Sequence, residues 1–253
     1  MKIAVPVQLV PDLVEELVIN EQGDGLDSAY VRWILNEYDD HAIEQAILLK
    51  ESHGAQVTVL APDLEGADDV LFAAAAKGAD QLIKLTADFD AGFNSHALAS
   101  LFHPVLQAIH PDLVLTGVQA HNALDGPLGP YLAERLGLPF VGTVSNVSLN
   151  GDRVIAHKEY PGGLAAEIEV TLPAVLGIQA AAQPPRYVPI SKVRMAMKSA
   201  SIEKQSGELD PSGGLRPQRV FLPEAAGGAV MIAGSVNEVA DRIVAIFKEQ
   251  GLL

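Results

Sequence analysis

The chain has 253 residues, no cysteine and a formal net charge of -15 at neutral pH. Apolar residues make up 49% and charged residues 19%, which excludes a disordered chain and calls for a core of small aliphatic side chains. The acidic balance argues against nucleic-acid binding by phosphate neutralisation, and the missing thiols exclude disulfides, thiolate nucleophiles and thiolate-held metals. A first strand, "KIAVPV", starts at Lys2 and leaves no room for a leader peptide ahead of it. No apolar run approaches the roughly 20 residues of a membrane span, so the expectation is a cytoplasmic protein.

After an acidic loop, "NEYDDHAIEQAILLKESHG" reads as a helix. Asn36 is its cap, Asp39 and Asp40 suit its positive end, and Gly54 stops it. "QVTVLAP" is a strand, "ADDVLFAAAAKG" a helix ending at Gly78, and "DQLIKLT" a strand. "NSHALASLFHPVLQAIH" is a helix containing Pro104, "PDLVLTG" a strand, and "DGPLGPYLAERLG" a helix capped by Asp125. Buried strands alternating with helices predict a doubly wound, mainly parallel α/β sheet covered on both faces. From Thr143 the pattern switches to period two, with "NGD" and "YPGG" as hairpin turns and "AVLGI" as one more buried strand. Residues 1–205 form this α/β domain, ending in a basic, Pro-led segment at 183–200. Residues 206–253 form an extended arm and an amphipathic helix capped by Ser235.

Several chemistries lack their motifs. G-x-G-x-x-G after a strand, the Gly-Lys phosphate loop and G-x-S-x-G are all missing. His96, His103 and His110 stand two helical turns apart, roughly 10 Å, too far to share one ion. Asp39, Asp40, His41 and Glu44 are a metal-ligand cluster by type, though acids at a helix start commonly serve the dipole. What remains is the junction "TGVQAHNALDGPLGPYLAERLG", with small residues at Gly117, Ala120, Gly126 and Gly129. Ligands of open α/β sheets sit beyond the strand C-termini, where helix N-termini offer N–H groups to anions. With "LNEYDD" and "VLAP" on the same edge, an adenine-nucleotide cleft is one reading. Ordinary, well-capped strand-to-helix turns are the other.

The ordered set "LNEYDDHAIEQAILLKE", "KGAD", "PDLVLTGVQA", "GPYLAERLGLP", "YPGGL…LPAVLGIQ" and "PPRY" resembles the β subunit of electron-transfer flavoproteins over nearly the whole chain. "LNEYDD" and "RVFLPEAAGGAVMIAGSVNE" are most similar to the bacterial form that serves trimethylamine dehydrogenase. The resemblance implies an electron carrier rather than an enzyme. Its partner would be an α subunit holding most of one FAD, and the β subunit would hold a structural AMP. On this resemblance the adenine side is Pro6, Asn36, Glu37, Tyr38, Asp39 and Ala61. The phosphate side runs through Gly117, Val118, Gln119, Ala120, His121, Asn122, Asp125, Gly126, Leu128 and Gly129. The chain departs from the family at that turn: Leu128 has no hydroxyl, Pro127 has no N–H, and Asp125 places a negative charge near the phosphate.

The resemblance also gives "PPRYVPISKVRMAMK" a role, as a recognition loop that docks a flavin-containing dehydrogenase. Ile190 is then the aliphatic anchor, with Tyr187, Val193 and Met195 beside it. Lys192 and Arg194, with Arg186, steer an acidic partner. The alternatives are a form carrying a second FAD in place of AMP, and a non-redox adenine-nucleotide sensor. A sensor of the stress-protein type needs a third glycine where Pro139 stands.

Overall fold

The computed structural model describes residues 1–89, 92–223 and 227–253. Its contacts divide into two units, 1–220 and 221–253. In the first, the chain runs β1 (Lys2–Pro6), β2 (Leu9–Pro11), β3 (Trp33–Leu35), α1 (Glu37–His53), β4 (Gln56–Pro62) and α2 (Ala67–Lys77). It continues through β5 (Gln81–Thr86), α3 (Ser95–Ile109), β6 (Leu113–Gly117), α4 (Leu128–Leu136) and β7 (Phe140–Asn150). Then come β8 (Arg153–Tyr160), β9 (Leu164–Thr171), β10 (Ala174–Ile178), α5 (Ile190–Ser199) and β11 (Ile202–Ser206).

Nine strands form one sheet in the order β11-β5-β4-β1-β6-β10-β7-β8-β9. Pairing is parallel from β11 to β7, and β8 and β9 add an antiparallel extension. The doubly wound α/β class therefore stands, with the hairpins where the period-two pattern put them. Glycines at positive φ, Gly151 in one turn and Gly162 and Gly163 in the other, let the two hairpins close. β2 and β3 pair separately as a small antiparallel ribbon in the region read as an acidic loop.

Alternating side chains divide the core into two layers. Ile3, Val5, Val57, Val59, Leu113 and Leu115 meet Ile43 and Ile47 of α1 and Leu71 of α2. Ala4, Leu60 and Val114 point the other way, onto Leu98, Leu101 and Phe102 of α3 and Leu132 of α4. Period two in the strands and 3.6 in the helices produces this sandwich. Each fully buried Leu, Ile or Phe contributes roughly 1.5–3 kcal/mol.

Three local expectations change. Asp125 does not cap α4. Its Oδ1 accepts from Ser95 N (3.1 Å) and its Oδ2 from His96 N (3.0 Å), so it caps α3 instead, beside the cap made by Asn94. A carboxylate goes to whichever free N–H groups the fold brings near, and here those belong to the preceding helix. The segment at 183–200 is a loop only as far as Pro189, after which α5 takes over. Once the prolines end, "KVRMAMK" consists mainly of good helix formers. The boundary placed at 205/206 falls inside the first unit, because the next residues fold back onto it. Gly207 N donates to Thr86 O (2.9 Å), Asp210 N to Ser100 Oγ (2.7 Å), and Asn94 Nδ2 to Gly213 O (3.0 Å).

The second unit contains α6 (Val236–Glu249), opened by a complete capping box. Glu238 accepts from Ser235 N (2.7 Å) while Glu238 N donates to Ser235 Oγ (3.4 Å). None of its residues is buried, and Ile243, Val244 and Phe247 form an exposed apolar stripe. Glu224, Ala225 and Ala226, in the motif that carried part of the resemblance, lie outside the described residues. No described helix is long and apolar enough to cross a membrane.

Candidate functional site

The chain leaves β1 towards β4 and β5, then returns to place β6 on the other side of β1. That reversal is the topological switch point of the sheet, where the loops after β1 and β6 part and leave a crevice. A cleft of about 470 Å³ lies there, a size within the range of small-molecule sites. Asn36, Glu37 and Tyr38, at the start of α1, form one wall, and Gln119 and His121, after β6, form another. The β2–β3 ribbon, with Val10, Ile34 and Leu35, and the turn after β2, with Leu13 and Val14, close the third side. Five of the residues expected around a nucleotide thus come together from distant parts of the chain. The ribbon wall was missed. Its only sequence signal is the pair of short apolar runs, Leu9-Val10 and Trp33-Ile34-Leu35, at the two ends of the acidic loop.

Other predicted residues stand behind the cleft or apart from it. Pro6 and Ala61 are buried at the ends of adjacent strands, and Ala120 is buried after β6. Val118 N donates to Ile178 O (2.8 Å), which fixes the start of the β6–α4 loop. Asn122 is exposed. Asp39 is fully buried and is not among the residues that line the cleft. Its Oδ2 accepts from Gln8 N (2.8 Å) and Asn36 Nδ2 (3.1 Å), and its Oδ1 from Gly117 N (2.6 Å). Burial pushes its pKa up to about 6, against the pull of those three donors. The helix-dipole role expected for Asp39 is therefore secondary to this network. Asp40 pairs with Lys77.

Of the residues expected on the phosphate side, Asp125 and Gly126 immediately precede α4, and Leu128 and Gly129 open it. Leu128 is buried in the core and Gly129 sits under Phe140. A Cβ at residue 129 would lie 2.7 Å from the Phe140 ring and 2.9 Å from Thr116 Oγ1, so only glycine fits. That Thr116 hydroxyl is buried and has no hydrogen-bond partner among the described residues. No side chain caps α4. Pro130 removes the third N–H of its first turn and leaves those of Leu128 and Gly129. The Asp125 carboxylate is turned to α3 and does not occupy the start of α4. Gly126 O accepts from Ser95 Oγ (2.7 Å), which ties the same loop down.

The Pro-led segment is fastened to α1 by side chains on one of its faces. Ala181 N donates to His41 Nδ1 (3.2 Å), Ala182 N to Gln45 Oε1 (3.0 Å), and Arg186 N to Glu44 Oε2 (2.9 Å). The Arg186 guanidinium then pairs with Glu44 (2.8 Å) and Glu51 (2.6 Å). It holds the Glu51 carboxyl below the usual range, and its own pKa is pushed up. Arg186 is therefore a structural cation, not one of the steering cations it was grouped with. Beyond it, α5 packs against α2, with Ala196 buried and Val193 half-buried. Ile190 is 69% exposed, Tyr187 84% and Met195 60%, with Lys192 and Arg194 in solvent around them.

No group of three or more metal-ligating side chains occurs among the described residues. Within the acidic helix start, Asp39 and Glu44 are committed to the partners given above.

The electron transfer flavoprotein domain model matches residues 25–209. An electron transfer flavoprotein subunit beta from Methylophilus methylotrophus is 30% identical, with 98% of both chains covered. One from Bacillus subtilis is 29% identical over 93% of each chain. The caffeyl-CoA reductase–Etf complex subunit CarD of Acetobacterium woodii is 30% identical over the full length of both. This chain belongs to the electron transfer flavoprotein family, on the β-subunit side, whose members are electron carriers rather than enzymes.

Proposed function

We propose that this chain is the β subunit of a cytoplasmic, heterodimeric electron-transfer flavoprotein. In this reading it supports an α subunit that carries FAD, holds AMP as a structural ligand, and docks a flavin-containing dehydrogenase through residues 183–200. Electrons pass from the dehydrogenase to the FAD. The second unit suits the α-subunit role: α6 buries no residue and exposes Ile243, Val244 and Phe247 for another chain to cover.

Two sets of groups, in the cleft and at the start of α4, support the AMP reading. Its polar lining includes the carboxylates of Asp12 and Glu37 and the Gln119 amide, which accept from amino and hydroxyl donors such as those of adenosine. The uncapped start of α4 offers Leu128 N–H and Gly129 N–H to an anion, with the orphan Thr116 hydroxyl beneath. A bound nucleotide would supply no redox chemistry; Asn36 and Glu37 at the start of α1 and Gln119 after β6 would hold it.

One observation carries the docking role: Ile190 is 69% exposed at the first residue of a helix that is itself anchored through α2 and Arg186. A rigid stem presenting a free aliphatic tip is what an insertion anchor requires. Anchoring there raises the local concentration of the flavin at its donor without fixing it. Ile190→Ala is expected to slow dehydrogenase-driven flavin reduction by about one to two orders of magnitude at limiting partner, from the roughly 1.5–3 kcal/mol of a buried isoleucine. Dithionite reduction should be unchanged. Stopped-flow traces showing wild-type rates for this variant would refute the anchor. Denaturing the complex should release AMP, and a second FAD in its place would assign the chain to the two-flavin alternative.

A further inference from the structure

We propose that Asp39 is a positioning residue for the nucleotide cleft: its buried carboxylate holds the segments of Gln8, Asn36 and Gly117 together as one wall. The proposal rests on the nucleotide reading above and assigns Asp39 no contact with the ligand. Three chain segments, the β1–β2 connection, the α1 cap and the end of β6, converge on this one side chain through N–H donors. The bound Asn36 amide reaches one step further, donating to Gln119 O (3.0 Å), and both Asn36 and Gln119 line the cleft. Gly117 is matched to the arrangement. A Cβ there would lie 2.7 Å from Asp39 Oδ1 and 2.8 Å from Tyr38 Cβ.

All three partners donate, so the network suits a carboxylate and not a carboxylic acid. A proton on either oxygen faces an N–H and breaks at least one of the three bonds. Burial sets the titration near pH 6, and the neighbouring Asp40 adds to the upward push. Gln8 and Gly117 bring no charge. The other titratable groups at the cleft are Asp12, Glu37 and His121. The wall is therefore firm at neutral pH and loosens as the pH falls through about 6. Fold stability moves the opposite way, because a raised carboxyl pKa means that the folded state takes up the proton more readily than the unfolded one.

The test is equilibrium dialysis of the heterodimeric complex, stripped of nucleotide, against labelled AMP between pH 7.5 and 5.0. If only the ionised form holds the wall, the competent fraction at pH 5.0 is about one in ten, and affinity drops about tenfold. Asp39→Asn should bind weakly throughout, with that pH slope gone. A slope arising from His121 would persist in the variant and would overturn the assignment. Wild-type affinity that is unchanged at pH 5.0 would overturn it too, and this arm needs no variant to fold. Failure of the wild type to bind AMP even at pH 7.5 would instead remove the nucleotide reading on which the proposal stands.

Discussion

The first turn of α1 and its middle each bury a carboxylate, yet the two regions neutralise it differently. Asp39 meets only uncharged donors from backbone and amide groups, and its pKa rises to about 6. Glu44, equally inaccessible at 2% exposure, meets the Arg186 guanidinium. The difference follows from what each region holds. Near the cleft, three main-chain segments must be fixed without a bulky cation filling the switch point. In the middle of the helix, a Pro-led loop must be fastened, and a long arginine reaches across to do it. One helix thus serves both halves of the proposed function, with the nucleotide at its start and the docking segment along its side.

The largest expected break in this comparison is Arg186→Met, which leaves Glu44 buried without its cation. Removal of one partner from a buried pair costs about 3 kcal/mol or more, and urea unfolding should show a loss near that value. Adding Glu44→Gln should recover part of it, and a double-mutant cycle with no coupling would contradict the clamp. The same Arg186→Met variant should also weaken docking, since α5 loses its fastening.

A smaller effect separates Asp39 from Glu44 by pH. Between pH 7.5 and 5.0 the folded chain protonates Asp39 while the unfolded chain, with a carboxyl near 3.8, does not. Wild type should gain about 1.4 kcal/mol relative to Asp39→Asn over that window. The opposite sign would mean that the three donors outweigh burial. Below it, Glu51 and other paired carboxylates lose their stabilisation and the trend reverses.

The smallest is Asp125→Ala. This carboxylate is half-exposed and also bound by two backbone N–H groups, a solvated counterpart of Asp39. Losing a helix cap costs about 1 kcal/mol. The loss should appear as faster amide exchange in the first turn of α3, with α4 unaffected. Fraying of α4 would restore the cap to the helix that the sequence pointed to.

Element order and the two-layer core were legible because periodicity is local: "QVTVLAP" and "PDLVLTG" announce buried strands by themselves. Partners far along the chain were not. Asp125 is 30 residues from Ser95, Asp39 is 78 from Gly117, and Glu44 is 142 from Arg186, so the type of each residue was readable but not its hydrogen bonds. The edge that holds the cleft was nevertheless available, because Gln119–His121 follow a buried strand and Asn36–Tyr38 open the helix of the first crossover, both on the side where open α/β sheets take ligands. The helix at Ile190–Ser199 was obscured by the prolines before it. The β2–β3 ribbon was hidden because three-residue strands carry almost no pattern.

The central claim is that this chain works beside a flavin-bearing subunit. Its direct test is purification of the chain alone and co-expressed with an electron-transfer flavoprotein α subunit, followed by an absorbance spectrum and subunit stoichiometry. A colourless single chain and a yellow one-to-one complex with one FAD are expected. Stoichiometric FAD on the chain by itself, or no complex with the α subunit, would contradict that claim.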